Sequence, residues 1–458
     1  MNAVMPSNAP LGLVSLQLAF NGQKSNPSPV RIVNSSFGTL GANSAGFGPS
    51  VVLNFVAQDQ QPVNSLTVSA SPGQVVTLYG TGLGPGLNPD NVAPLAGNLL
   101  TPVEIWVGGQ AVAPSDILYS GRSPCCSGLD QLVFRIPPKA PLGCYVPVLI
   151  RTDKAVLSNA TTVAIQAPGV NTCADSQNPF TSLYQSAGKV GAILLSRLQF
   201  LAQVDLDQPL SFSVDYGFAS FSEENGSQFS YNSRLAFPPP GSCTVYTGAQ
   251  DMLADATLPG TLPSVRFLDA GATLNTSGTG GSRSILRYGN PGDYGGLFGT
   301  DLAGLSLPSL FLNPGSFQIS GTGGADVGSL QATVNVAPIL KFAGLAGIAA
   351  VNRSQDLTLT WEAPDASAQL ILIAGSNYDV PTDSSSAFFC TALPSDRSLT
   401  VPSWILSALP ASRTKRHQSH GRLLMGTASF GPAVTNVTGV KAVQTISISA
   451  KGQSVLFR

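Results

Sequence analysis

The sequence predicts an all-β fold, a stack of β-sandwich domains, and three observations carry that expectation. Charged residues make up only 10% of the 458-residue chain, against about 25% in an average soluble protein, which leaves little material for surface helices laced with Lys/Glu pairs. Glycine (48) and proline (35) are abundant and cut the chain into short segments. Within those segments apolar residues alternate with Ser and Thr, the period-2 pattern of half-buried strands.

Composition bounds the function as well. At about 150 residues per domain the chain makes roughly three domains, each large enough for a core of its own. A net charge of −1 gives no pull towards nucleic acid or anionic lipid, so no nucleic-acid partner is expected. The longest apolar run, APILKFAGLAGIAAV at residues 337–351, is short and carries Lys341, so no membrane span is expected. Six cysteines (Cys125, Cys126, Cys144, Cys173, Cys243, Cys390) form an even set without C-x-x-C spacing, which favours disulfides over zinc or redox sites and points to a secreted or cell-surface location. The only histidines, His417 and His420, leave little raw material for a metal centre or imidazole catalysis. No cofactor and no metal are expected.

In chain order, the first element is half of a repeat. Residues 5–12 (MPSNAPLG) match residues 136–143 (IPPKAPLG) at an offset of 131. Ser25-Asn26 and Val30-x-Ile32 then match Ser158-Asn159 and Val163-x-Ile165, the second copy holding two extra residues. Each copy reads as a strand pair and a last alternating strand, the end of a sandwich. The second copy follows a long run of earlier strands, whereas the first has four residues ahead of it. Two strands cannot bury a core. Residues 1–40 are therefore expected to be the C-terminal remnant of a preceding domain, with the chain either the C-terminal portion of a longer product or carrying a misassigned start, and a signal peptide upstream. Residues 41–65 read as a linker.

Next comes SPGQVVTLYGTGLGPG, residues 71–86, with Gly80, Gly82 and Gly84 behind a short apolar strand. A dinucleotide loop needs G-x-G-x-x-G opening a helix, so that the helix N-terminus faces the pyrophosphate. Here the third glycine falls one place early and the following LNPDNVAP cannot continue as helix past its prolines. The glycines read instead as a corner where the chain leaves one sheet for the other, with Tyr79 and Leu83 packing inward. VEIWVGGQAV then reverses at Gly108-Gly109, a type I′ hairpin signal, and LDQLVFRIP alternates Leu132, Phe134 and Ile136.

PGQVVTLYGTGLGP, VEIWVGGQ, SPCCSGLDQLVFRIP and PLGCYVPVLIR…LSNATTVAI together resemble the immunoglobulin-like IPT/TIG domain, in the version found near the C-termini of secreted bacterial proteins. The resemblance covers residues 66–167, with a partial second copy at 5–34, and implies tandem immunoglobulin-like β-sandwich domains. Such domains serve as spacers and binding modules, so the fold alone selects no function. Within this picture Cys126 is expected to staple Cys144 across neighbouring strands, because adjacent cysteines rarely bond each other. Cys125 is then left for Cys173, which would pin the next domain. Cys243 and Cys390 are either bonded together or two buried thiols.

Residues 168–345 read as a β-rich domain of unknown type, with one segment, SLYQSAGKVGAILLSRLQFLAQ, running from short helix into strand. Two SGTGG turns, at 277 and 320, each follow an FL[D/N]-x-G turn, at Phe267 and Phe311, as in paired hairpins on one plan. Six strand signals in residues 346–458 read as a C-terminal β-sandwich, with Trp361 and Trp404 in its core and Trp404 alternatively a half-exposed platform for a sugar.

No catalytic constellation is visible, and the chain is expected not to be an enzyme. Glu223-Glu224 read as a solvated turn. Asp293 and Asp301 lack the spacing of a calcium loop. The sharpest charge feature is the acid-free stretch Arg413, Lys415, Arg416, His417, His420, Arg422, a candidate patch for an anionic ligand such as an acidic polysaccharide or cell-envelope component. The expected function is a secreted or cell-surface structural or adhesive module. The alternative is the polysaccharide-binding, non-catalytic C-terminal portion of a larger secreted enzyme.

Overall fold

The computed structural model describes residues 4–185, 187–202, 209–224, 228–232, 235–248, 266–289, 291–302, 308–363, 366–379, 384–412 and 421–458. The chain is all-β and divides into two compact units, Met1–Ala140 with Pro147–Thr172, and Pro141–Val146 with Cys173–Arg458.

In the first unit β1 (Gly12–Leu16), β2 (Ala19–Phe20), β3 (Gln23–Lys24) and β4 (Ser28–Ile32) make two ribbons, β1 on β4 and β2 on β3. They are followed by β5 (Gly38–Thr39), β6 (Gly48–Pro49), β7 (Val52–Asn54), β8 (Val75–Thr81), β9 (Val103–Val107) and β10 (Gln110–Ala111). The unit closes with β11 (Ile117–Arg122), β12 (Asp130–Arg135), β13 (Gly143–Thr152), β14 (Val156–Leu157) and β15 (Thr161–Ile165). One sheet runs β10-β9-β13-β15-β6 with β14 on β13, and the other runs β11-β12-β8-β5 with β7 on β8. Alternation along these strands buries Leu78, Ile105, Leu132, Phe134, Val148, Ile150, Val163 and Ile165, the core of an immunoglobulin-like β-sandwich.

Residues 41–65, expected as a linker, instead belong to this sandwich. β6 pairs with β15 and β7 with β8. Asn64 holds Ala164 by both carboxamide atoms, accepting from its N–H at 2.9 Å and donating to its C=O at 3.0 Å. Short polar strands of this kind carry too few apolar residues to announce themselves by period.

The glycine-rich stretch is a corner. Ser36 N–H donates to Gly82 O at 2.8 Å, and Gly82 and Gly84 take φ of 90° and 130° with no room for a Cβ against Ser36 and Thr101. Between them Leu83 is fully buried, and its N–H donates to Asp130 Oδ2 at 2.7 Å. Asp130 also pairs with Arg122, whose Nη2 donates to Gly84 O at 2.6 Å. One buried ion pair thus satisfies both a backbone donor and a backbone acceptor of the corner.

The second unit differs from the expected division at residue 345, because strands from both sides of that boundary share one sheet. A short helix, α1 (Phe180–Tyr184), runs into β16 (Gly188–Ala202), as the sequence predicts. Then come β17 (Leu210–Glu224), β18 (Ser242–Gly248), β19 (Arg266–Phe267), β20 (Thr273–Gly278), β21 (Gly281–Arg287), β22 (Asp293–Asp301), β23 (Gly315–Gly321) and β24 (Leu330–Val336). They are followed by β25 (Phe342–Ala343), β26 (Ala350–Val351), β27 (Leu357–Trp361), β28 (Leu370–Asp379), β29 (Ser384–Ala392) and β30 (Ser398–Val401). After a second short helix, α2 (Ser403–Leu406), the chain ends in β31 (Arg422–Phe430), β32 (Ala442–Ser454) and β33 (Leu456–Phe457). The main sheet is ordered β18-β29-β28-β31-β32-β16-β17-β22-β21-β20-β23-β24, with β19 on β17. β25, β27 and β30 form a separate sheet, and β26 pairs with β33.

The reason lies in β16, which is parallel to β32 and apolar on both faces. Ile193 and Leu195 enter one core with Phe221, Phe298, Phe311 and Phe317. Val190, Ala192 and Leu194 face a second core with Phe180, Phe237, Leu370 and Ile446. A strand buried on both faces must lie inside a sheet, with partners from distant parts of the chain.

Closure comes from hydroxyls. In the sequence TISIS of β32, Ile446 joins the second core, while the alternate residues face β24. Thr445, Ser447 and Ser449 donate to the carbonyls of Thr333, Asn335 and Ala337 at 3.1, 2.6 and 2.7 Å. The last strand of the sheet is thereby satisfied along its edge, which would otherwise present open acceptors.

The paired turns at Phe267 and Phe311 are each held by a carboxylate. Asp326 accepts from Asp269 N–H at 3.0 Å. Asp215, fully buried, accepts from Phe311 N–H at 2.6 Å and Leu312 N–H at 2.7 Å while Arg197 donates to its two oxygens at 2.7 and 2.6 Å. Trp361 lies in the core and donates its indole N–H to Pro394 O at 3.0 Å, whereas Trp404 is half-buried.

Candidate functional site

All six cysteines are bonded, and the pairing corrects the expected one. Cys125 joins Cys126, Cys144 joins Cys173, and Cys243 joins Cys390. The expected Cys126–Cys144 and Cys125–Cys173 pairs fail for a local reason. Cys125 and Cys126 are exposed in the turn between β11 and β12, tied off by the bond from Ser123 N–H to Leu129 O, whereas Cys144 is buried at the head of β13 with Cys173 at a Cα separation of 5.5 Å. Cys243 and Cys390 sit directly opposite each other on β18 and β29. Three disulfides are the chemistry of an oxidising, extracellular environment.

Of the candidate anionic-ligand patch, Arg413, Lys415, Arg416, His417 and His420 lie outside the described residues. Arg422 opens β31, half-buried, in register with Ser376 on β28 and Ser454 on β32. Asp293 and Asp301 stand at opposite ends of β22 and share no site. Glu223 and Glu224 are strand residues on opposite faces rather than a solvated turn. Glu223 pairs with exposed Arg266 at 2.8 Å, while Glu224 is buried and accepts from Ser222 Oγ at 2.7 Å.

Two constellations emerge that sequence reading missed, both in the second unit. The first gathers Tyr145, Tyr231 and Tyr246 with Asp175 and Glu224. The Tyr231 and Tyr246 hydroxyls are 2.5 Å apart, the Tyr145 and Tyr231 rings meet edge to face at 5.5 Å, and Tyr145 Oη donates to Ser230 O at 3.2 Å. Burial pushes the Asp175 carboxyl up to about 6, against hydrogen bonds from Gln177 and Asn178 N–H, and raises Glu224 as well. Burial, with the nearby charges of Asp175 and Glu224, also raises Tyr145. Raised carboxyls in a cluster are raw material for acid catalysis, but the three tyrosines are buried and Asp175 Oδ1 accepts from Gln177 N–H at 3.2 Å just ahead of α1. These contacts lock the chain beside the Cys144–Cys173 bond.

The second is a surface cavity of about 390 Å³ lined by Gln199, Leu340, Lys341, Phe342, Leu345 and Lys451, among others. Gln199 on β16 and Lys451 on β32 are register partners, and the chain after β24 supplies the rest. Leu340 and Leu345 are buried, while both lysines are exposed, Lys341 standing 3.9 Å from Glu362. The cavity offers two ammonium groups and an amide beside apolar surface, a surrounding suited to a small anionic group carried on an apolar face.

No family model matches the chain, and no curated protein matches it. Among solved structures, the N-terminal four Ig domains of Dscam1 (isoform 9.44, with zinc) align at 9% identity over 87% of this chain and 99% of that chain, with a TM-score of 0.15. Dimeric latent PorU from Porphyromonas gingivalis aligns at 11% identity over 87% of this chain and 34% of that chain, with a TM-score of 0.14. An endo-fucoidan hydrolase of glycoside hydrolase family 107 aligns at 9% identity over 84% of this chain and 45% of that chain, with a TM-score of 0.10. At such scores none of the three bears on what this chain does. Among the described residues no helix is long and apolar enough to cross a membrane.

Proposed function

We propose that the protein is a secreted or cell-surface structural or adhesive module without a catalytic centre, its first unit built on the IPT/TIG plan. The observation that carries this reading is where the buried charge goes. Asp130 and Asp215, each paired with an arginine, are saturated by the backbone N–H groups of Leu83, Phe311 and Leu312. Groups so committed hold corners and are not free to move protons. The disulfides support the compartment. The arginines of the sandwich speak against a DNA interface, since Arg122, Arg135 and Arg151 are paired with Asp130, Asp116 and Glu104.

A second reading, binding of an acidic polysaccharide as part of a larger secreted enzyme, is favoured by the cavity with Lys341 and Lys451. Retention of the purified chain on isolated cell envelopes and on columns of alginate or neutral dextran separates the two. The adhesive reading expects saturable envelope binding that survives the Lys341→Ala/Lys451→Ala double substitution. Alginate retention abolished by that double substitution would establish the second reading instead, and binding to neither material would overturn both.

A further inference from the structure

The two copies of the internal repeat are wired alike up to one residue and then diverge. In the first copy Leu18 N–H donates to Ser25 Oγ at 3.0 Å, Ser25 Oγ to Asn26 O at 3.0 Å, and Ser25 N–H to Leu18 O at 2.8 Å. In the second, Ile150 N–H donates to Ser158 Oγ at 3.0 Å, Ser158 Oγ to Asn159 O at 3.0 Å, and Ser158 N–H to Ile150 O at 2.7 Å. Leu18, Ser25 and Asn26 are thus the structural equivalents of Ile150, Ser158 and Asn159.

The divergence is in what covers them. Asn159 clamps the first strand of the complete sandwich, accepting from Thr39 N–H at 2.8 Å and donating to Thr39 O at 3.0 Å. The carboxamide of Asn26 is exposed and has no partner among the described residues. The outer edge of β15 is occupied by Ser50 N–H, donating to Thr162 O at 2.8 Å, and by the Asn64 clamp on Ala164. The equivalent strand, β4, has β1 as its one described neighbour. Val148 and Ile150 are 1% and 0% exposed, whereas their counterparts Leu16 and Leu18 are 45% and 46% exposed. An open edge, an unused backbone clamp and an uncovered apolar face therefore coincide on one ribbon.

We propose that the ribbon of β1 and β4 is an acceptor surface for the leading half of an immunoglobulin-like sandwich of this chain's own type. Its occupant is a set of strands equivalent to residues 38–135, which supply both sheets of the complete sandwich, recognised by strand addition along β4, by the Asn26 carboxamide on an extended backbone, and by burial of Leu16 and Leu18. The chain itself specifies this partner, because the second copy shows what the same positions bind. The inference rests on the repeat and stands or falls independently of any ligand of the second unit.

The test adds the partner in cis to the full chain. Residues 35–135 are placed directly ahead of Met5, so that Arg135 is followed by Met5 as it is by Ile136 in the second copy. Hydrogen exchange is then read at the amides of β1 and β4. The expected result is a slowing on the order of 100-fold relative to the unextended chain, as a marginal two-stranded ribbon joins a closed sandwich. Asn26→Ala should remove about tenfold of that protection, the loss of a clamp hydrogen bond or two. Exchange unchanged by the extension would overturn the proposal, as would protection indifferent to Asn26→Ala. So would an unextended chain already protected at these amides as a dimer in light scattering, since the occupant would then be a second copy.

Discussion

At the residue scale, the fold is pinned by a few charges placed where backbone groups converge. Asp215 receives four hydrogen bonds, two from Arg197 and two from the Phe311 turn, in a site that excludes water. Removing one partner of such a pair strands the other. Asp215→Asn should therefore cost about 3–5 kcal/mol in urea denaturation of the full chain. Arg266→Ala, which breaks two exposed pairs with Glu223 and Asp326, should cost at most about 1 kcal/mol. None of this was legible in LSFSVDYGF, where Asp215 looks like any polar residue on an alternating strand; its partners lie 18 residues upstream and 96 and 97 residues downstream. The site cysteines were legible as disulfide formers but not in their pairing, which depends on which ends of strands meet. The pH dependence belongs to Asp175. Its carboxyl titrates near 6 in the folded chain and near 3.9 when unfolded, so between those values the unfolded state holds fewer protons. Stability of the second unit should fall as pH rises from about 4 to about 6 and then level off, Glu224 acting in the same sense. Asp175→Asn should flatten much of that slope in denaturation curves collected across the window.

At the element scale, the longer strands were legible but their partners were not, and the short strands β6 (Gly48–Pro49) and β7 (Val52–Asn54) were missed. The short helix into β16, the Gly108-Gly109 reversal and the corner at Gly82 follow from local residue chemistry, which acts over a few positions. The TISIS strand shows the limit. Its Ser/Thr alternation reads as a solvent face, yet Thr445, Ser447 and Ser449 are buried and seal the edge of β24. Each of Thr445→Val, Ser447→Ala and Ser449→Ala should cost about 1 kcal/mol by leaving a carbonyl of the β24 edge without its donor. The triple variant should release the amides of residues 330–336 to faster exchange while β16 and β17 stay protected.

At the scale of the whole molecule, the sequence predicts three domains and the structure has two units, because β16 is apolar on both faces and draws strands from either side of residue 345 into one sheet. A strand that alternates between two cores looks like a continuous apolar run, and such a run says nothing about which distant segments will flank it. The same long-range wiring makes the Cys243–Cys390 bond consequential: it closes a loop of sequence separation 147, for which chain entropy gives about 5 kcal/mol. The Cys243→Ala/Cys390→Ala variant should lose stability of that order in the second unit, leaving the sandwich's own transition in place. Such reliance on disulfides is sustainable only where thiols are oxidised. The most direct test of an extracytoplasmic, disulfide-stapled module is peptide mapping by mass spectrometry, without reduction, of the native protein from separated cytoplasmic, envelope and medium fractions. Linked Cys144–Cys173 and Cys243–Cys390 peptides are expected in the envelope or medium. Six free thiols in a cytoplasmic protein would contradict it.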